Sequence, residues 1–235
     1  MKSIAIIPAR GGSKRIPKKN IKEFCGNPII AYSIEAALKS KLFDVVMVST
    51  ESEEIAAIAK AFGAEVPFLR SAKNSDDFTG PGDVVLEVLE NYAQKEIKFD
   101  NVCCLFATAP FVLPKRLQEG YELMIKENFD CVFPVAEFSS PILRSLKMDD
   151  NSSVERNFPQ YEKSRSQDLP KAFYDVGQFY WSQTTPFLKL ENKNEFGKKR
   201  GAIILSSMEV QDIDHPEDWE VAEFKFQYIK EKLWK

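Results

Sequence analysis

The chain is poor in the groups that many metal and nucleophile chemistries require. It holds one histidine, His215, in 235 residues. A His-based metal centre is therefore excluded, and no Ser–His or Cys–His pair is evident. The four cysteines, Cys25, Cys103, Cys104 and Cys131, form no CxxC pair. The last three sit in apolar, strand-like runs and read as reduced core residues. Any metal would be a hard ion such as Mg²⁺, held by carboxylates and phosphates. No apolar run approaches the roughly 20 residues of a membrane span. The apolar part of the start is too short for a signal peptide and lacks a small-residue cleavage site. A cytoplasmic protein is expected. The 32 basic and 35 acidic residues leave a net charge of -3, which argues against bulk nucleic-acid binding. Both GxxxxGK[ST] and GxGxxG are missing, and no internal repeat or low-complexity tract is visible.

What is present begins at residue 4. An apolar run ends in Pro8 and Ala9. Arg10, Gly11, Gly12, Ser13, Lys14, Arg15, Lys18, Lys19 and Asn20 then follow in one loop. A buried strand that stops in a glycine-bearing, cation-rich loop suits a triphosphate. Gly11 and Gly12 carry no Cβ, so backbone N–H groups can approach phosphate oxygens. The cations neutralise charge, Lys as a point and Arg as a fork. The plain alternative is a solvated basic loop after an edge strand.

The pattern predicts strands at residues 4–8, 45–49, 66–69, 102–106 and 131–135. Amphipathic helices are expected at 28–39, 51–62, 83–94 and 114–126. This βαβα rhythm argues for a mostly parallel sheet covered on both faces, with ligands at the carboxyl ends of its strands. The rhythm breaks near Ser139. Residues 139–172 read as a hairpin-like excursion from a single domain spanning 1–235. A return strand is expected at 177–181, a strand at 202–205, and a last helix from Pro216 towards Lys232. Phe138, Ile142, Leu143, Phe158 and Tyr161 are too apolar for a free linker. They pack either on their own domain or on a second subunit.

The sequence DID places Asp212 and Asp214 on either side of Ile213. In an extended segment both carboxylates share one side and Ile213 faces the core. Such a pair suits a cation. Equally, Asp214, Glu217 and Asp218 suit the start of a helix.

The stretch IPARGGSKRIPKKNI resembles the signature of the acylneuraminate cytidylyltransferases, the CMP-sialic acid synthetases. The resemblance runs from Ile6 to the C-terminal helix. It implies a Rossmann-like nucleotide-diphospho-sugar transferase sheet with a dimerisation excursion, and hence a homodimer. It also implies that CTP and a nine-carbon sugar acid are substrates. Pro8, Ala9, Arg10, Gly11, Gly12, Ser13, Lys14, Asn20, Arg70 and Thr79 would bind CTP. Arg10, Lys14 and Lys19 would stabilise the triphosphate and the departing pyrophosphate. Asp212 and Asp214 would hold Mg²⁺. Thr108, Gln167, Gly177, Gln178 and Tyr180 would face the sugar. Glu51 stands where the family more often has Asp and reads as a helix cap.

Two departures bear on the sugar. The usual QPTSPLR is FATAPFV here, with Phe106 for Gln and Val112 for Arg, while Thr108 and Pro110 are kept. The RQDLP…NGAIY pattern keeps Gln167, Leu169, Pro170, Gly177 and Tyr180. It has Val176 for Asn, and Gln178 and Phe179 for Ala and Ile. Lost polar partners cost about 1–3 kcal/mol each when their counterparts stay buried. The pair of changes resembles the pseudaminic acid branch, whose sugar has fewer hydroxyls and more methyl groups. Other expectations remain: a different nonulosonic acid (N-acetylneuraminic or legionaminic), the octulosonic acid enzymes (whose RLPGKPL-like pattern is RIPKKNI here), or a silent nucleotide-sugar binder.

Overall fold

The computed structural model describes residues 1–233, with side chains to Lys230. The elements in chain order are β1 (Ser3–Pro8), β2 (Glu23–Phe24), β3 (Asn27–Pro28), α1 (Ile29–Ser40), β4 (Val45–Ser49), α2 (Glu53–Ala61), α3 (Pro81–Ala93) and β5 (Asn101–Leu105). They continue with α4 (Pro114–Lys126), β6 (Cys131–Glu137), β7 (Leu146–Met148), β8 (Val154–Arg156), β9 (Phe173–Asp175), β10 (Phe179–Gln183), α5 (Thr184–Leu188), β11 (Arg200–Leu205) and α6 (Pro216–Leu233).

The central sheet runs β11-β6-β10-β5-β1-β4, and β9 also pairs with β6. β1 is parallel to β4 and β5, and β11 is parallel to β6. β10 runs antiparallel between β5 and β6. The α/β, mostly parallel reading therefore holds, with β10 reversed in the middle and β9 also antiparallel to β6. β1 shows why both faces must be covered. Ala5 and Ile7 pack with Ile30 and Ile34 of α1 and Leu117 of α4, whereas Ile4 and Ile6 pack with Val85 and Val88 of α3. Each fully buried isoleucine contributes about 1.5–3 kcal/mol. Cys103, Cys104 and Cys131 lie in these layers as free, buried thiols. Burial pushes Cys104 and Cys131 up to about 12, so they are inert at neutral pH.

The strand expected at 66–69 is not formed. Glu65 makes one bridge to Met47, and Arg70 N–H reaches Thr50 O at 2.9 Å. Between them Pro67 has no N–H to give the ladder, so the segment lies along β4 without joining the sheet. Pro134, by contrast, sits within an unbroken β6, paired in register with Ile203 of β11. Opposite it, β9 and β10 meet at a kink where Gly177 has φ +60°.

A third core layer ties the ends of the chain together. Ile16 of the first loop, Phe24, Tyr32, Phe111, Trp219, Phe226 and Ile213 form one buried cluster. Phe24 sits edge-on to Tyr32, Trp219 and Phe226 at 5.3–5.6 Å, a favoured aromatic geometry. Residues 139–172 hold the β7–β8 hairpin and three short 3₁₀ turns. Ile142, Leu146, Met148 and Val154 are exposed there.

Candidate active site

The first loop is built to stay open. Ala9 N–H bonds Ser49 O at 2.9 Å, pinning its start to β4. Asn20 Nδ2 donates to Arg10 O at 2.8 Å, and Ile16 anchors the middle in the aromatic layer. A Cβ on Gly12 would meet nothing within 4 Å, so this backbone faces open space. Pro8, Arg10, Ser13, Lys14, Arg15, Lys19, Asn20, Arg70, Thr79 and Thr108 line a 450 Å³ cleft over this loop. Ala9 is buried below it.

Every cation of the loop has an acidic partner. Arg10 and Lys14 both clasp Asp77. Arg15 and Lys19 reach Asp214 at 3.0 and 3.5 Å. Lys18 pairs with Glu54 at 2.7 Å. The carboxyl of Asp77 is held below its ordinary range by Lys14 and Arg10. Glu51 does not cap α2. Ser52 does, accepting from Ile55 N–H at 3.4 Å. The Glu51 carboxylate instead accepts Gly11 N–H at 2.6 Å, taking the place on the loop amide that suits an anionic ligand. Arg70 is buried; its Nε donates to Ser49 Oγ at 3.1 Å and a second nitrogen donates to Ser49 O. Burial lowers its pKa, and Glu51 and Glu87 oppose that. Thr79 gives both N–H and Oγ1 to Asp76 at 2.7 Å. A wider groove of 720 Å³ on the far side of this loop shares Thr79 but none of the cations of the first loop.

The 212–214 segment meets the cleft from the other side. Ile213 is 2% exposed in the aromatic layer, and Lys19 Nζ donates to its carbonyl at 2.5 Å. The helix-start reading is resolved by Asp218. It accepts Asp214 N–H at 3.0 Å and His215 N–H at 2.7 Å, and these bonds hold its pKa down. The Asp214 side chain is thereby left for Arg15 and Lys19. No group of three His, Cys, Asp or Glu gathers among the described residues. Asp212 and Asp214 are hard oxygen donors, the type of which Mg²⁺ takes one or two beside phosphate oxygens and water.

A second cavity of 580 Å³ adjoins Asp212. Glu137, Phe138, Tyr174, Asp175, Val176, Gly177, Tyr180, Gln211 and Lys225 are among its walls. Tyr180 OH donates to Asp175 at 2.5 Å. Burial and then Asp175 raise the Tyr180 pKa, so the phenol stays protonated. Phe106 stands between the cavities. It lines the first and meets Tyr180 of the second edge-on at 5.9 Å.

The residues expected around the sugar are thus divided. Gly177 and Tyr180 line the second cavity, and Thr108 lines the first. Gln178 lines neither: it is buried, with Nε2 donating to Glu209 O at 2.6 Å. Gln167 is exposed on a turn of the excursion and lines neither cavity. Val112, expected to shape the pocket, is 1% exposed in the core. Sequence reasoning missed Asp77, Asp175 and Lys225 as wall residues, and Arg15 as a partner of Asp214. Arg15 stood in the basic run and could have been found; the others carry no local signal.

Comparison with known proteins places the chain in a family. The family model described as cytidylyltransferase matches residues 4–215. The chain is 41% identical over 226 residues to the pseudaminic acid cytidylyltransferase of Campylobacter jejuni, covering 96% of this chain and 97% of that one. It is 33% identical to the CMP-N,N'-diacetyllegionaminic acid synthase of Legionella pneumophila, covering 99% of this chain and all of that one. Among solved structures, CMP:2-keto-3-deoxy-manno-octonic acid synthetase complexed with CTP superposes with a TM-score of 0.70 over 97% of this chain and 99% of that one. At 17% identity that likeness concerns the fold alone. With the sheet, the cation-lined cleft and a match across nearly its whole length, the chain belongs to the cytidylyltransferase family.

Proposed function

We propose that this protein transfers CMP from CTP to the anomeric hydroxyl of pseudaminic acid, giving CMP-pseudaminic acid and pyrophosphate. The observation that carries the reading is the position of the 212–214 segment. Asp214 meets the cations of one cavity, and Asp212 lines the other. A group transfer between two bound substrates needs such a junction. The sugar follows from the similarity to the Campylobacter enzyme and from the apolar Phe106 and Val176 at the junction and the second cavity.

In this reading CTP lies in the 450 Å³ cleft, with Pro8, Ala9, Gly11, Gly12 and Ser13 shaping the loop beneath it. Asn20, Arg70 and Thr79 face the nucleoside end. Arg10, Lys14 and Lys19 neutralise the triphosphate, so Asp77 must release Arg10 and Lys14 as phosphate enters. The anomeric oxygen attacks the α-phosphorus in line, giving its proton to solvent, the bond to the bridging oxygen breaks, and pyrophosphate leaves with its charge held by the same cations. Asp212 and Asp214 would hold Mg²⁺, which supplies charge neutralisation at the α-phosphate and lowers the pKa of a hydroxyl bound near it. Gly177 and Tyr180 bound the sugar side, Thr108 the border.

The enzyme acts in the cytoplasm as a homodimer, with residues 139–172 crossing to the second copy. The exposed Ile142, Leu146, Met148 and Val154 support that reading, and Gln167 would enter a site only from such a copy. The test is ³¹P NMR of the protein with CTP, Mg²⁺ and pseudaminic acid. A phosphodiester resonance appearing together with pyrophosphate is expected. Unchanged CTP with every sugar acid would leave a silent nucleotide-sugar binder.

A further inference from the structure

The second cavity contains one cation with no acidic partner. Its charged walls are Glu137, Asp175, Asp212 and Lys225. Glu137 is paired with Lys171 at 2.8 Å. Asp175 accepts from Tyr180 OH at 2.5 Å and from Gly177 N–H at 2.9 Å. Lys225, on α6, pairs with no carboxylate among the described residues. Its ammonium donates to Val210 O at 2.8 Å and Ser207 O at 3.3 Å. Two of three N–H donors are thus used, and one remains. The group is half-buried, and burial alone pulls its pKa down, with no carboxylate restoring it. An ammonium kept partly dry and without a counter-charge is costly unless an anion completes it.

The chemistry of the reaction says which anion belongs there. A 2-keto sugar acid in its ring form carries carboxylate and anomeric hydroxyl on the same carbon. The receptor for the carboxylate must therefore lie next to the place where that hydroxyl meets the α-phosphate, which is beside Asp212. Among the described residues, Lys225 is the sole cation on the wall that Asp212 shares. Resting on the reading that this cavity takes the sugar acid, we infer that Lys225 is the receptor for the substrate carboxylate, orienting the anomeric hydroxyl towards Asp212. Its two carbonyl bonds to the 207–210 segment fix its position from α6, so the receptor and Asp212 are registered to each other by one short stretch of chain.

The test compares the wild-type protein with Lys225→Gln, which keeps amide donors for the two carbonyls and loses the charge, and with Lys225→Arg, which keeps the charge. Each is assayed by pyrophosphate release with pseudaminic acid and with its methyl ester. Lys225→Gln is expected to raise the KM for the acid about 10- to 100-fold, the range of a lost charge-assisted hydrogen bond. The KM for CTP should stay within about two-fold, and the preference for acid over ester should disappear. Lys225→Arg should restore most of that preference. A purely structural role would lower activity on acid and ester alike, so an unchanged acid-to-ester ratio in Lys225→Gln overturns the inference. If the wild-type protein releases no pyrophosphate, the reading of the reaction fails separately. Calorimetric binding of acid and ester in the presence of CTP then decides. A preference abolished by Lys225→Gln upholds the carboxylate receptor; an unchanged preference, or binding of neither compound, refutes it.

Discussion

The two cavities are made in opposite ways. The first takes Arg10, Lys14, Arg15 and Lys19 from one continuous stretch, already matched by Asp77 and Asp214, while Arg70, Thr79 and Phe106 to Thr108 close it from other loops. The second draws single residues from β6, the Gly177 kink, the 207–212 segment and α6. Its one cation has no acidic partner among the described residues. A triphosphate is much the same in every nucleotide-consuming enzyme, and one loop supplies most of the cations that meet it. A particular sugar must be met from several directions, and distant segments have to agree on a shape. The difference also separates how each cavity depends on the core. The first rests on Ile16 and the aromatic layer; the second leans on the Arg116–Glu209 pair behind Gln178 and Val210.

The comparison breaks most severely through that pair. Glu209 is 4% exposed and takes both oxygens to Arg116 or Ser206 at 2.8–3.1 Å. Glu209→Ala leaves Arg116 without its inner partner and should cost about 3–5 kcal/mol in denaturant unfolding. Burial would raise the Glu209 pKa, but Arg116 and Ser206 lower it overall. A depressed folded pKa stabilises above the ordinary carboxylate value, and that stabilisation vanishes as pH falls through the folded value. Wild type and variant should therefore converge in stability on acidification below that range. A gap independent of pH would show that packing, not charge, is what the pair provides.

Asp214→Ala tests the junction itself. The expected fall in kcat is roughly 100- to 1,000-fold, with CTP binding partly kept, measured by steady-state kinetics and equilibrium binding. Wild-type rates would remove Asp214 from any metal or phosphate role. Val176→Asn tests the second cavity alone. Val176 packs with Ala136, Leu205 and Val210, so a buried amide there should cost about 1–3 kcal/mol of stability. It should not confer use of N-acetylneuraminic acid, because Phe106 stays at the border. Efficient turnover of that sugar would show that one side chain sets the choice. The smallest effect is expected on the first cavity. Asp77→Asn frees Arg10 and Lys14, and the KM for CTP should fall by a few-fold at low salt and less at high salt. A rise in KM would mean that Asp77 helps to hold the nucleotide rather than standing in for it.

The cation side of the first cavity was readable in the sequence because its residues are neighbours there. The cation loop, the strand before it and the 212–214 pair could be named from order alone. The parallel sheet followed from strand–helix alternation, but the strand at 66–69 did not, since Pro67 denies it a ladder bond. Long-range partners have no such trace. Asp77 and Lys14 are 63 residues apart, and Lys225 reaches the wall only because α6 packs through Trp219 and Phe226 onto Phe24. Gln178 and Val112 show the converse. Each matched a position of interest in the pattern, yet Gln178 turns inward to Glu209 O and Val112 into the core.

The central claim is the transfer itself and the sugar that receives it. Pyrophosphate release from CTP and Mg²⁺, compared between pseudaminic acid and N-acetylneuraminic acid at equal concentration, tests both at once. Release with pseudaminic acid alone is the result expected. Release with N-acetylneuraminic acid alone would contradict the reading of Phe106 and Val176, and release with neither would contradict the proposed reaction.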